Sequence, residues 1–289
     1  MNHTLVLTAA LGALHDEAVT AASKVTGGTP HWLSPGTACE FRAADPAALA
    51  PVRAALGQHK VDANIVAEAH RKKRLLIADM DSTIIGCECI DEIADYAGVK
   101  PQIAAITERA MRGEIPFESA LRERVALLKD LPETTLARVY AERVRLNDGA
   151  RILVRTMSEA GAKTALISGG FTFFTSRVAD SAGFATNKAN ELGIEDGKLS
   201  GTVREPILGR EAKLQALVAL AHEGSIDIKE TLAIGDGAND LGMITAAGLG
   251  IAYRAKPIVA EAAHARLDHS DLSAALYLQG YRETELVLD

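Results

Sequence analysis

An α/β fold is what this sequence predicts: a doubly wound, mostly parallel sheet with a helical cap insertion, plus a small N-terminal α+β domain of the ferredoxin-like kind. Three observations carry this. Apolar runs that end in polar tips and lead into helices recur from residue 75 to residue 240. The stretch from Gly86 to about Asn147 holds helical patterns alone, and the first seventy residues follow a different rhythm. Continuous apolar strands belong to parallel sheets covered on both faces, and strand–helix alternation builds such sheets. The expected division is residues 1–70 for the N-terminal domain and 71–289 for the α/β domain, with the cap at about 86–147.

Taken in order, Thr4–Thr8 reads as a strand and Asp16 to Val25 as an Ala/Val-rich helix. Trp32 to Arg42 reads as one broken strand, Asp45 to Leu56 as a helix with Pro46 near its start, and Val61 to Ala67 as another strand. That β-α-β-α-β order is the basis for the ferredoxin-like expectation. Arg71-Lys72-Lys73-Arg74, the tightest basic run, reads as a solvated junction.

Leu75-Leu76-Ile77-Ala78 then forms an apolar strand that ends in Asp79-Met80-Asp81-Ser82-Thr83. Ligands gather at the carboxyl ends of strands in open α/β sheets. Two acids two residues apart can hold a hard cation or divide the labour of nucleophile and proton donor, although the same residues also serve ordinary turns. In the cap, Phe117, Leu121, Val125 and Leu128 mark one helix face, and Pro101, Pro116 and Pro132 sit near helix starts. Such an insertion can act as a lid that excludes water from the strand tips.

Asp148 to Gly161 reads as a helix, and Thr164–Ile167 as a strand running into Ser168-Gly169-Gly170. A helix opening near Phe171 would make the amides after Ser168 a phosphate cradle. Residues 191–203 alternate around an Asp-Gly turn as a β-hairpin does. Arg210–Leu214 begins a helix carrying Lys213, and Thr231–Ile234 is a strand that runs into Gly235-Asp236-Gly237-Ala238-Asn239-Asp240. Lys213 can supply a compact charge and Asp236 a further oxygen ligand. Asp271 to Leu278 closes the order as a helix.

Composition narrows the classes. A length of 289 residues suits two domains, and 48% hydrophobic content supports well-buried cores. A net charge of −7 argues against a nucleic-acid surface. No apolar run is long enough for a bilayer, and the start lacks the features of a secretory signal. Cys39, Cys87 and Cys89 cannot all pair, which suits reduced thiols and a cytoplasmic location; a zinc site lacks its second ligand pair.

These motifs, in this order, resemble those of the haloacid dehalogenase (HAD) superfamily, and within it the phosphoserine phosphatases. Asp79-x-Asp81-x-Thr83, Ser168, Lys213 and Gly235-Asp236-Gly237-x-Asn239-Asp240 carry the superfamily likeness. Glu88-Cys89-Ile90-Asp91-Glu92, the segment from Arg109 to Phe117, and Ser119 to Val125 carry the narrower one. The similarity spans about residues 71 to 280, and residues 1–70 look like a trimmed ACT-like domain, either regulatory or purely structural, with a homodimer contact as one role open to it.

The resemblance implies Mg²⁺-dependent hydrolysis of O-phosphoserine, the last step of serine biosynthesis, through an aspartyl-phosphate. Asp79 is then the nucleophile and Asp81 the proton donor and acceptor. Mg²⁺ is held by Asp79, Asp236 and the backbone carbonyl of Asp81. Ser168, Gly169, Lys213 and Asn239 hold the phosphate. Glu88 accepts the substrate's ammonium group and Arg124 grips its carboxylate; Met111 and Phe117 lie against the substrate. Without the resemblance, Glu88 and Arg124 read as solvated helix residues. The alternative is a phosphotransferase that passes the phosphoryl group to a small amino-acid alcohol such as homoserine. A non-catalytic regulator is a third class, disfavoured because no nucleophile or metal carboxylate is missing.

Overall fold

The computed structural model of the protein describes residues 2–112 and 114–288, and for Met111 the backbone alone. The Met111 side chain expected against the substrate therefore lies outside the described residues. The chain opens with β1 (His3–Thr8), α1 (Asp16–Thr26), β2 (His31–Ser34), β3 (Ala38–Phe41), α2 (Leu49–Leu56) and β4 (Asp62–Ala67). Their sheet has the order β2-β3-β1-β4, with every pairing antiparallel. This is the βαββαβ arrangement of the ferredoxin-like folds.

Two boundaries differ from expectation. The broken strand over 32–42 is a hairpin, because Gly36 takes a positive φ of 69° and folds β2 back on β3. The helix expected from Asp45 starts as a 3₁₀ turn over Pro46–Ala48, capped by the Asp45 carboxylate on the Ala47 N–H, before α2 begins.

The larger sheet begins with β5 (Leu75–Ala78), after which the chain leaves for the cap: α3 (Cys89–Ala97), α4 (Lys100–Met111), α5 (Phe117–Ala126) and α6 (Thr134–Arg143). It returns through α7 (Ala150–Glu159), β6 (Lys163–Phe171), α8 (Thr172–Ala182) and β7 (Thr186–Asn190). The hairpin β8 (Leu192–Glu195) and β9 (Lys198–Val203) turns at Asp196–Gly197, where both residues have positive φ. Then follow α9 (Arg210–Glu223), β10 (Thr231–Gly235), α10 (Leu241–Ala246), β11 (Leu249–Tyr253), α11 (Pro257–Ala262), β12 (Ala265–Leu267) and α12 (Ala274–Leu278).

All pairs in the six-stranded sheet β12-β11-β10-β5-β6-β7 are parallel. Its central strands are apolar throughout because both faces are covered. Leu76, Ala78, Ile234 and Leu166 pack into one core with α7 and α8, whereas Leu75, Ile77, Ala233 and Ala165 pack with α9 and α10. In the cap, Leu121, Val125 and Leu128 are buried on the expected stripe, with Phe117 at its edge. No helix among the described residues is long and apolar enough to cross a membrane.

The two sheets meet along β4 and β12. The Asn64 side-chain amide donates to the Arg266 carbonyl and accepts from the Arg266 N–H, both at 2.9 Å, so one side chain substitutes for a strand at the β12 edge. Asp62 accepts from the N–H groups of Asp268, His269 and Ser270 and from the Ser270 hydroxyl. Val6, Leu33, Ala38 and Val66, on the sheet face away from α1 and α2, join the main core. The basic run at 71–74 is a correction: only Lys72 and Arg74 are solvated. Arg71 lies 2.9 Å from the buried Glu40 carboxylate, and Lys73 is 8% exposed. The run sits where the two sheets converge, so every second residue turns inward.

Candidate active site

Strand register places the tips. Ala78 pairs with Ile234 on one side and Leu166 on the other, so the residues that follow these three lie close to level with one another. Asp79, Asp236 and Ser168 therefore emerge together at the carboxyl edge. Beyond Asp79 the chain makes a wide turn over Met80–Ile84, closed by the Ile85 N–H on the Met80 carbonyl at 3.0 Å, with Ser82 in the left-handed region at φ 57°. A non-glycine residue held there stores strain, which the tethers around it maintain. One is the Asn147 side chain, donating to the Thr83 carbonyl at 2.7 Å. Another is the Thr83 hydroxyl, donating to Asp236 at 3.0 Å.

The floor of the site is a compact charge cluster. The Lys213 ammonium lies 2.7 Å from Asp79 and 2.5 Å from Asp240, with all three side chains buried. Burial alone would favour neutral lysine, but the two carboxylates outweigh it and hold the Lys213 ammonium firmly protonated. One cation cannot neutralise every acid present. Burial, then the Asp240 charge, push Asp79 well above the usual carboxylate range against the pull of Lys213. The same two causes raise Asp236 to about 6.

Carboxylate oxygens of Asp79, Asp236 and Asp240 lie within 4.8 Å of one another, an all-oxygen group that could hold a metal ion and suits a hard cation. Both Asp240 oxygens are engaged, one by Lys213 and the other by the Gly237 N–H at 3.0 Å. That leaves Asp79 and Asp236 as the freer pair, and a divalent ion would offset both the burial and the repulsion that raise them. The donor set fits such an ion.

On the other wall, β6 bulges after Ile167, and its pairing with β7 resumes only at Phe171. Ser168 is buried, and its hydroxyl oxygen accepts the Gly170 N–H at 2.8 Å. The two glycines make room. A Cβ on Gly169 would sit 3.2 Å from the Phe117 ring, and one on Gly170 would sit 2.9 Å from an Asp81 oxygen. The expected cradle is accordingly shifted: α8 starts at Thr172, so the amides after Ser168 belong to the bulge rather than to a helix start. Asn190 holds this bulge, donating to the Gly169 carbonyl at 2.8 Å while accepting the Leu208 N–H at 2.7 Å.

Asp81 turns toward the cap, its carboxylate accepting the Cys89 N–H at 3.0 Å. Burial, then the nearby Glu88 charge, raise it to about 7 despite that bond and the Lys213 charge. Glu88 is exposed and accepts from the Ser82 hydroxyl at 2.6 Å. Arg124 projects from α5, fastened to the Ala120 carbonyl at 3.2 Å and the Thr107 hydroxyl at 3.4 Å. Glu123 pairs instead with Arg109, so Arg124 is not the solvated ion pair that its helix neighbours suggest.

A cavity of about 470 Å³ lies between cap and sheet, and Asp79, Asp81, Glu88, Arg124, Ser168, Gly169, Asp236 and Asn239 all line it. Lys213 lies beneath, reaching the cavity through Asp79. Every site residue singled out in the sequence, Met111 aside, is thus brought to one place. Sequence reading missed the work of Asp240 and Asn190, and the cations Arg210 and Lys256 on the cavity wall. Asp240 was visible as the end of its glycine-rich motif, whereas Asn190 stood in no recognisable pattern.

Comparison with known proteins agrees with this geometry. The family model of haloacid dehalogenase-like hydrolases matches residues 76–245. A phosphoserine phosphatase of Archaeoglobus fulgidus is 45% identical over 203 residues, 70% of this chain and 59% of that protein. Another, of Streptomyces coelicolor, is 44% identical over 241 residues, 83% of this chain and 58% of that protein. The chain thus spans less than two thirds of the length of these two relatives. A HAD-family hydrolase from Salmonella enterica serovar Typhi superposes with a TM-score of 0.84 at 30% identity, covering 96% of this chain and 98% of that one. The phospho-aspartyl intermediate analogue of a phosphoserine phosphatase superposes at 0.66 with 39% identity, covering 71% of this chain and 98% of that one.

Proposed function

The chain belongs to the haloacid dehalogenase-like hydrolases, and on that premise we propose that it hydrolyses O-phospho-L-serine to L-serine and phosphate. The observation that carries this reading is a single cavity whose lining holds two differently equipped groups of residues. One group is Asp79, Asp81, Asp236 and the Ser168–Gly170 bulge over Lys213; the other is Glu88 and Arg124. The first suits a phosphoryl group, and the second suits the ammonium and carboxylate of an amino acid. The names borne by the relatives support the same substrate.

In this proposal Asp79 attacks phosphorus, forming an aspartyl-phosphate as the bond to the seryl oxygen breaks. Asp81 gives that oxygen its proton, then accepts a proton from the water that releases phosphate. Its pKa of about 7 suits both roles near neutrality. The Ser168 hydroxyl, the Gly169 amide, Asn239 and the Lys213 ammonium bind the transferring oxygens. Glu88 and Arg124 orient the amino-acid end, and the cap keeps out bulk water. Mg²⁺ held by Asp79, Asp236 and the Asp81 carbonyl would screen repulsion between the nucleophile and the substrate's charge.

The test is phosphate release from phosphoserine, phosphothreonine and several sugar phosphates, with and without Mg²⁺, and with homoserine as a competing acceptor. The proposal expects turnover of phosphoserine in preference to the sugar phosphates, loss on chelation, and no phosphohomoserine. Equal turnover of all esters would sink the substrate assignment. Turnover by Asp79→Asn would sink the nucleophile.

A further inference from the structure

At the opposite edge of the large sheet a second cavity of about 380 Å³ opens where the N-terminal sheet meets the starts of β5, β10 and β11. We infer that this cleft is a binding site for a small amphipathic carboxylate, held by Lys73 and His264 against an apolar wall. Its lining carries His3, His70, Arg71, Lys73, Lys229 and His264, and none of the described lining residues is acidic.

Part of that charge is already committed. Arg71 is paired with Glu40 and Glu68, and His70 lies 3.8 Å from Glu230. Lys73 is different: at 8% exposure, its ammonium donates to the Lys229 carbonyl at 2.7 Å and has two further N–H donors to place. Burial pulls it down to about 8, with the Glu230 charge acting the other way, so an anion in the cleft would restore a cation that folding disfavours. His264 accepts the Gly250 N–H on Nδ1 at 2.9 Å, which leaves the neutral ring its proton on Nε2 as a donor.

One ammonium and one neutral imidazole match the single charge of a carboxylate better than a phosphate dianion. Ile65, Val66 and Leu249 supply surface for a short hydrocarbon body. The cleft is separate from the catalytic cavity, since Lys73 and Asp79 lie roughly 20 Å apart along an extended strand.

Titration of the full-length chain with isovalerate, followed through the histidine ring C–H signals by NMR, tests this. The expected result is a saturable shift of the His264 signal. It should weaken about tenfold or more in Lys73→Met, as for loss of a charge-assisted hydrogen bond, and persist in Asp79→Asn. Absence of a saturable shift, an unchanged shift in Lys73→Met, or loss in Asp79→Asn would each overturn the inference. So would inorganic phosphate binding as tightly as isovalerate, because the apolar wall would then contribute nothing. If Lys73→Met does not fold, Lys73→Arg must retain binding, and His264→Gln, read through His70, must weaken it.

Discussion

At the scale of single residues, the site is governed by close approach as much as by charge. A Cβ at Gly170 would press on the Asp81 carboxylate at 2.9 Å and the Ser168 oxygen at 3.1 Å. Gly170→Ala is therefore expected to lower kcat about 10²-fold while leaving the melting temperature nearly unchanged, a contrast that steady-state kinetics and calorimetry together can read. Arg124→Ala should raise KM for phosphoserine about 10–100-fold, with hydrolysis of p-nitrophenyl phosphate altered less than about threefold. Equal losses on both substrates would make Arg124 a structural residue. Sequence spacing made Asp79, Asp81 and Asp236 legible because carboxylates after apolar strands announce a strand-tip site. Glu88 and Arg124 were legible only through resemblance, since nothing in a helix pattern says which charged residue faces a cavity two elements away.

At the scale of elements, the bulge of β6 depends on a side chain from the end of β7. Asn190 is buried, and truncating it would leave the Gly169 carbonyl and the Leu208 N–H without partners. Asn190→Ala should cost about 2 kcal/mol of stability and lower kcat about tenfold. Denaturant melts and a substrate titration would show this, and unchanged kcat would mean that the bulge holds its own shape. Strand and helix order around the motifs was readable, because periodicity and apolar runs are local. The helix expected near Phe171 does open at Thr172, but the bulge before it was not readable, since Asn190 braces that backbone from twenty-one residues away. The hairpin of β2 and β3 was blurred for a different reason: Ser34-Pro35-Gly36-Thr37 does signal a turn, but the strands beside it are only four residues each and together look like one interrupted strand.

At the scale of the molecule, the N-terminal sheet and the α/β body share a core and a buried ion pair. We propose 1–70 and 71–289 as the two units, and the contact between them as a major source of stability. Burial raises the Glu40 carboxyl, but the Arg42 and Arg71 interactions outweigh it and leave it below its ordinary value of 4.5. A depressed carboxyl stabilises the fold above its unfolded value and loses that contribution as pH falls through the folded one. Glu40→Gln should therefore cost about 3 kcal/mol at neutral pH, and the gap from the unsubstituted protein should close as pH drops below 4.5. A gap that stays constant in acid would show that the loss comes from packing alone. This junction was misread from sequence because a run of four basic residues looks uniformly wet, whereas only the fold can say that Arg71 and Lys73 turn inward.

The clasp of Asp62 on the backbone of residues 268–270 has a consequence for how the protein is made. Its two halves are separated by about two hundred residues, and ribosomes add on the order of ten residues per second. For tens of seconds the newborn N-terminal segment must wait with Val6, Leu33, Ala38 and Val66 uncovered, a nascent surface that chaperones can recognise until translation delivers its partner.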